Sequence, residues 1–352
     1  MNARRRYASN AKEPSERVEA NLSTVARMSF TREEHLIYTG LKFERIYIQC
    51  TIHNMAELEN EYISVIYTRG IPETFDSLED MSKSLKKRER RESVKSVDMT
   101  NMTINEIPEL TFLQFSNLQS VTFPDTLTII KKSAFRNCFS LKNVTFPEGL
   151  QQVEYGAFYG CRALRSVTFP DTLFFIGDSA FHGCSSLNNV TFPEGLQQVG
   201  PCAFEKCSSL KNVNLPEGLE EVRMSVFCGC IRLETVILPP GLRRIGDMAF
   251  EKCSSLTSIT FPEGLQQVGE FAFNTEEFTN LIITYDGDSP IDIHATAFHN
   301  RDIIVRLKNY NLHGSFENKG ANTITFEYQT WAGQGLQYIN YLPEQDNVDL
   351  RF

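Results

Sequence analysis

Apolar positions recur along the middle of this chain with a fixed period. From about Leu118 to Phe273 the same order of apolar and polar residues returns every 23 positions. Prolines mark it at Pro124, Pro147, Pro170, Pro193, Pro216, Pro239 and Pro262. Phenylalanines keep step at Phe135, Phe158, Phe181, Phe204, Phe227, Phe250 and Phe273, and cysteines at Cys138, Cys161, Cys184, Cys207, Cys230 and Cys253. A period of this length marks a solenoid, in which each coil can bury its apolar face only against its neighbours.

The unit Leu141 to Ala163 shows what each position does. Asn143 to Phe146 alternates, with Val144 and Phe146 facing one way, which predicts a short strand with its apolar side inward. Pro147 ends that strand, since proline has no donor for a ladder. Pro-Glu-Gly, or Pro-Asp-Thr in other units, then turns the chain. Leu150 and Val153 open a second inward-facing stretch, Ala157 and Phe158 fill the next corner, and Cys161 and Leu164 close the coil. Because each position repeats, the interior is expected to be a stack of columns, with valine running from Val121 to Ile259 and leucine from Leu118 to Leu256.

The pattern fades at both ends, as expected where a terminal coil must meet water. Ile107, Phe112 and Leu118 precede Ile130, Phe135 and Leu141 by 23 residues. Val94 and Val97 fit a further strand with a one-residue slip, so a degenerate first coil begins near Ser93. Phe298 follows Phe273 by 25 residues, which makes Leu281 to Leu307 one distorted coil. Residues 1–25 are polar and charged and read as disordered. Residues 26–91 read as a small α+β or helical region. In it Thr31 and Glu34 mark a helix start, Phe43 to Thr51 and Tyr62 to Tyr67 read as strands, and Asp76 to Arg91 reads as a helix ending in a basic run. Residues 92–307 form the solenoid, and residues 308–352 a C-terminal cap with a strand at Asn322 to Tyr328 and Trp331 packed on the last coil.

The recurring Leu-x-x-Val-Thr-Phe-Pro-Glu-Gly-Leu-x-x-Val-Gly-x-x-Ala-Phe-x-x-Cys motif, as at Leu187 to Cys207, strongly resembles the BspA-type leucine-rich repeat. The resemblance covers seven units between Leu118 and Phe273. It implies a right-handed, mainly β repeat solenoid with a parallel sheet along one face, used for binding other proteins. Some relatives in that family are surface adhesins of bacteria and parasites.

Charge narrows the classes of partner. The chain carries 35 Lys+Arg against 44 Asp+Glu, a net −9. Residues 1–91 hold 16 against 14, and the remainder 19 against 30. A nucleic-acid binder carries a basic stripe on its main surface; the array is acidic, so no nucleic-acid partner is expected. No run approaches the roughly 20 apolar residues of a membrane span. Met1 to Asn21 has Arg4, Arg5 and Arg6 with no apolar run behind them, and six of the nine cysteines are accounted for by repeat position. The expected location is the cytoplasm, with the basic run Lys86 to Arg91 as a candidate nuclear-localisation or anionic-surface patch. Sequons at Asn143 and Asn189 fall inside predicted strands, where glycans would crowd neighbouring coils.

Three features carry candidate chemistry. The position after proline forms an acidic stripe, Asp125, Glu148, Asp171, Glu194, Glu217 and Glu263, interrupted by Pro240. Like charges in a row repel, so a basic partner surface is favoured there. Beside the outward Ser/Asn/Thr strand positions runs a varied column with Lys142, Arg165, Asn188, Lys211 and Glu234, suited to partner contacts. Ser93 follows Arg90 and Arg91 and is a candidate phosphosite. The cysteine column reads as small buried thiols rather than a metal site, because zinc needs converging ligands. Cys228 replaces the surface-like Arg136, Tyr159, His182 and Glu205 of other coils, so it reads as an exposed thiol. No phosphate loop, nucleophile elbow or His-Glu-x-x-His occurs, so neither a cofactor nor catalysis is expected. The sequence thus points to a monomeric, non-enzymatic scaffold for protein interactions. A surface adhesin and a regulatory or weakly enzymatic module in residues 30–90 are the alternatives.

Overall fold

Each 23-residue unit folds into one coil with three hydrogen-bonded edges, and the coils stack into a β-solenoid of about ten turns. The computed structural model describes residues 63–67, 73–85, 88–276, 279–307, 314–316, 320–321, 323–328 and 337–341. The helix expected at Thr31, the strand expected at Phe43 to Thr51, and Trp331 lie outside these residues. The chain divides into two compact units, Met1–Asn60 and Glu61–Phe352, and all that is described belongs to the second.

The first edge is the long parallel sheet. Strands such as Ser166–Thr168 and Asn189–Thr191 pair one coil apart, with Val190 beside Val167. Their valines are buried and the flanking Ser, Asn and Thr exposed, as period-two alternation requires. The Pro carbonyl then accepts the N–H of the leucine three residues on, as Pro170 does from Leu173 at 3.0 Å, so Asp-Thr or Glu-Gly sits at the tip of the turn. Where threonine replaces glycine there, its hydroxyl reaches back a coil: Thr172 donates to the Glu148 carbonyl at 2.6 Å. The second edge is a ladder of two-residue strands, as at Gln152–Val153 and Phe175–Ile176.

The third edge is not a β-ladder. Two columns of left-handed residues build it, Ser133, Gly156, Ser179, Cys202, Ser225 and Met248 in one, and Asn137, Gly160, Gly183, Lys206, Gly229 and Lys252 in the other. With φ positive at both, alternate amides face the next coil while those between them close turns within their own coil, as Ala134 does on the Lys131 carbonyl at 3.2 Å. Ser133 donates to Tyr155 at 2.9 Å, Phe135 to Ala157 at 2.7 Å and Asn137 to Tyr159 at 2.7 Å, and the pattern repeats coil after coil.

Inside, the phenylalanine column is a continuous stack. Ring centroids step 4.8 Å from Phe112 to Phe135 and 5.1 to 5.8 Å thereafter, as far as Phe298. A second file, Phe123, Phe146, Phe169 and Phe192, meets it edge-on. A fully buried side chain of this size contributes about 1.5–3 kcal/mol, and offset stacking adds to that. The cysteine thiols donate to the phenylalanine carbonyl of the preceding coil, Cys184 to Phe158 at 3.3 Å for example. Cysteine therefore supplies a small buried body and a weak donor at once. Gly200 is demanded by close approach: a Cβ there would lie 2.4 Å from the Asp178 nitrogen.

Antiparallel strands close the long sheet at both ends. β1 (Ile63–Tyr67) pairs with β2 (Glu73–Phe75) and with β3 (Val94–Asp98), the first strand of the parallel ladder. Val97 sits beside Val121, which places the one-residue slip where the sequence put it. The expected single helix over Asp76 to Arg91 is two: α1 (Leu78–Ser84), capped by Ser77, and α2 (Arg88–Ser93). At the other end Thr279–Tyr285, Arg301–Leu307 and Thr323–Tyr328 continue the parallel ladder, and Gln337–Tyr341 turns antiparallel against it. The parallel ladder thus runs beyond residue 307. A buried Arg301 marks this end. Three residues after Phe298, it holds the place of the cysteine in earlier coils. Its Nε donates to the Phe273 carbonyl at 2.9 Å, and its terminal nitrogens reach Leu256 and Cys253 at 2.8 and 2.7 Å.

Candidate functional site

The structure separates the two columns singled out from the sequence. Lys142, Arg165, Asn188, Lys211 and Glu234 lie exposed where the chain enters the long sheet. Their backbones form part of the coil-to-coil ladder, Asn188 N–H to Arg165 carbonyl at 2.9 Å and Glu234 N–H to Lys211 carbonyl at 2.8 Å. Asp125, Glu148, Asp171, Glu194, Glu217 and Glu263 lie exposed at the turns beyond the other end of those strands. Among the described residues neither column forms an ion pair. The sheet face between them is polar, broken by Ile237, which is 56% exposed. Ser93 ends α2, half-buried against the start of β3, and the nearby Arg91 Nε is buried without a hydrogen-bond partner.

Sequence reasoning missed the most differentiated surface, which lies on the third edge. There Arg136, Tyr159, His182, Glu205, Cys228, Glu251 and Asn274 point outward in single file, one per coil. The Arg136 guanidinium sits 4.4 Å over the Tyr159 ring, and Tyr159 stacks on His182 at 4.5 Å and 7°. His182 Nδ1 lies 3.4 Å from Glu205, which Lys206 engages at 2.8 Å. Burial pushes the His182 pKa down, against the pull of Glu205, so the imidazole is neutral at pH 7. Burial opposes the Glu205 charge too, but hydrogen bonds from Lys206 and Cys202 and the field of His182 outweigh it and hold its carboxyl below the usual value.

Beside this file runs a groove of about 360 Å³. Tyr159 and His182 wall it on one side, and Arg162, Ser185 and Ser208 on the other. Its floor is the column of Gly160, Gly183 and Gly229, with Asn137 and Lys206 in the same column. The available signal was that column itself: Asn, Gly, Gly, Lys and Gly at 23-residue spacing is a left-handed turn position.

Thiol chemistry is subdued. All eight described cysteines are free. Burial pushes the column thiols up, Cys253 to about 12. Cys228 is half-buried rather than exposed, because the file closes over it: its Sγ lies 3.6 Å from Glu251. Burial, then the Glu251 charge, raises it to about 12, so it is no activated nucleophile. Among the described residues no group of three His, Cys, Asp or Glu is placed to hold a metal ion, and no helix is long and apolar enough to cross a membrane.

Comparisons with known proteins agree with the repeat. The chain is similar to the leucine-rich repeat protein of T. pallidum, at 28% identity over 46% of this chain and 77% of that one, with a TM-score of 0.44. A leucine-rich repeat protein from Bacteroides ovatus is similar at 20% identity over 77% of this chain and 76% of that one, with a TM-score of 0.48. A leucine rich cell surface protein from Faecalibacterium prausnitzii is similar at 19% identity over 68% and 84%, with a TM-score of 0.29. No curated protein matches. The model of the BspA type leucine rich repeat region matches in 6 copies, over residues 105–233, 174–304 and 220–327. With the motif, the columns and the stacked parallel ladders all in agreement, the chain belongs to the BspA-type leucine-rich repeat family.

Proposed function

We propose that this chain is a non-enzymatic scaffold that binds other proteins along the margins of its long sheet, as a monomer in the cytoplasm. One observation carries the reading. Some charges on the array find partners in a neighbouring coil: Lys131 meets Glu106 at 2.7 Å, Arg244 meets Glu221 at 3.5 Å, and Lys252 meets Glu276 at 2.6 Å. The stripe from Asp125 to Glu263 repeats at coil spacing with no such cation among the described residues. Its carboxylates repel one another, and a basic partner surface relieves that repulsion while a rigid solenoid holds them in place. The varied column at the opposite end of the strands supplies the residues that distinguish one partner from another.

The test is affinity capture from native cells with the full chain, with residues 61–352, and with a full chain in which the six stripe carboxylates become Asn or Gln. The expected result is a partner set retained by residues 61–352 and lost from the neutralised variant, with capture falling as salt rises. Partners that follow residues 1–60 and ignore the stripe would overturn the reading.

A further inference from the structure

We infer that the groove on the third edge binds an extended acidic peptide. This site is separate from the sheet margins. Its lining holds the cations Arg162 and Lys206 and no carboxylate, on an array where acidic residues outnumber basic ones. The Arg162 guanidinium lies 5.0 Å over the Phe139 ring and forms no ion pair among the described residues, so its donors remain available to a carboxylate. Phe139 is itself 39% exposed. An arginine braced on an exposed aromatic ring is the kind of anchor that dominates protein interfaces, and the sheet face offers none. Lys206 holds Glu205 at 2.8 Å yet keeps its side chain 64% exposed, leaving room for a second carboxylate.

The floor explains why the groove exists. Asn137, Lys206 and Lys252 occupy the floor column at positive φ and carry side chains, so the conformation does not require glycine. Gly183 occupies the same column with only the Gly160 Cα, 3.9 Å away, near the position of a Cβ. The open trench at Gly183 is thus a matter of a side chain left out, whereas at Gly160 the Asn137 side chain already lies 2.6 Å from the position of a Cβ.

Spacing selects the ligand. Arg162 and Lys206 belong to coils two steps apart, and the phenylalanine steps between those coils are 5.2 and 5.3 Å. Cations rooted two coils apart suit two anionic groups rather than one. In an extended polyproline-II chain, residues i and i+3 lie on the same side roughly 9 Å apart. Two acidic residues three apart therefore match the two cations, with the intervening residues crossing the glycine floor beside Tyr159 and His182.

Fluorescence anisotropy on the full chain tests this with three reagents. One is a labelled eight-residue peptide with Glu at positions 3 and 6 on a Ser/Pro/Gln background. The second is the same peptide with Gln at both positions, and the third is inorganic phosphate as competitor. The Glu peptide is expected to bind at least about tenfold more tightly than the Gln peptide, and Arg162→Gln to lose about tenfold. Gly183→Asn is expected to abolish binding while leaving the melting transition in place, and Thr168→Ala on the sheet face to leave binding unchanged. Equal binding of the two peptides, full binding by Gly183→Asn, or complete displacement by phosphate, which would indicate a single-anion site, would each overturn the proposal.

Discussion

The face of the long sheet and the edge of left-handed turns pass through the same coils, but repetition has treated them differently. On the sheet face the coils from Ser120 to Thr191 look alike, with Ser or Asn, then a buried valine, then Thr, and later coils depart mainly at Asn214 and Ile237. On the turn edge no two adjacent positions of the outward file match from Arg136 to Asn274. Both surfaces are exposed, so exposure does not explain the contrast. The sheet face is held by strand pairing on either side of a buried residue, whereas the turn edge needs only a backbone that accepts positive φ, which Ser, Asn, Lys, Met and Gly all supply here. Freed from packing, that edge accumulated aromatic, cationic and thiol side chains.

The largest expected effect lies directly beneath this edge. Phe158→Ala should cost about 3–5 kcal/mol in denaturant unfolding, since it interrupts the ring stack. Tyr159→Ala, the adjacent residue facing outward, should cost about 1 kcal/mol through the lost stack on His182. Arg301→Met should cost on the order of 2 kcal/mol by leaving three buried carbonyls without their guanidinium. Gly200→Ala should cost about 1–3 kcal/mol because its methyl group meets the backbone of Asp178 and Gly177 as well as the Asp178 carboxylate, and the backbone cannot move aside. By contrast, Thr168→Ala on the sheet face should stay within about 0.5 kcal/mol.

The smallest effect is a pH dependence on the turn edge. Burial lowers the His182 pKa below its unfolded value of about 6.5. The unfolded chain therefore binds the proton more readily, and stability from this group is full above that value and lost as pH falls through the folded pKa. The melting temperature of the native chain should fall on acidification below about pH 6.5 more than that of His182→Asn. An equal slope in both proteins would remove His182 as the cause.

The inner columns were legible in the sequence because burial makes the same demand in every coil, so Phe, Cys, Val and Leu recur at an unbroken spacing. The end strands were legible for the same reason, down to the slip at Val97. The groove was not, because it is defined by what Gly183 lacks, and a missing side chain leaves no apolar signal. Cys228 was misread as exposed because its neighbours in the file are polar; their polarity reflects contacts along the file rather than contact with water. Arg301 was hidden by the two-residue insertion before Phe298, which shifts it out of the 23-residue frame although it keeps the cysteine position counted from phenylalanine.

That arginine also separates coils that can replace one another from one that cannot. A duplicated unit placed among the regular coils finds a phenylalanine carbonyl behind it for its own thiol and the next thiol ahead of it, the same neighbours as any other unit. The coil that carries Arg301 departs from this rule: its guanidinium reaches back across two coils, to Phe273 and also to Leu256 and Cys253. The array can therefore lengthen or shorten by whole coils among the cysteine-bearing units, and the Arg301 coil is the one that does not interchange with them.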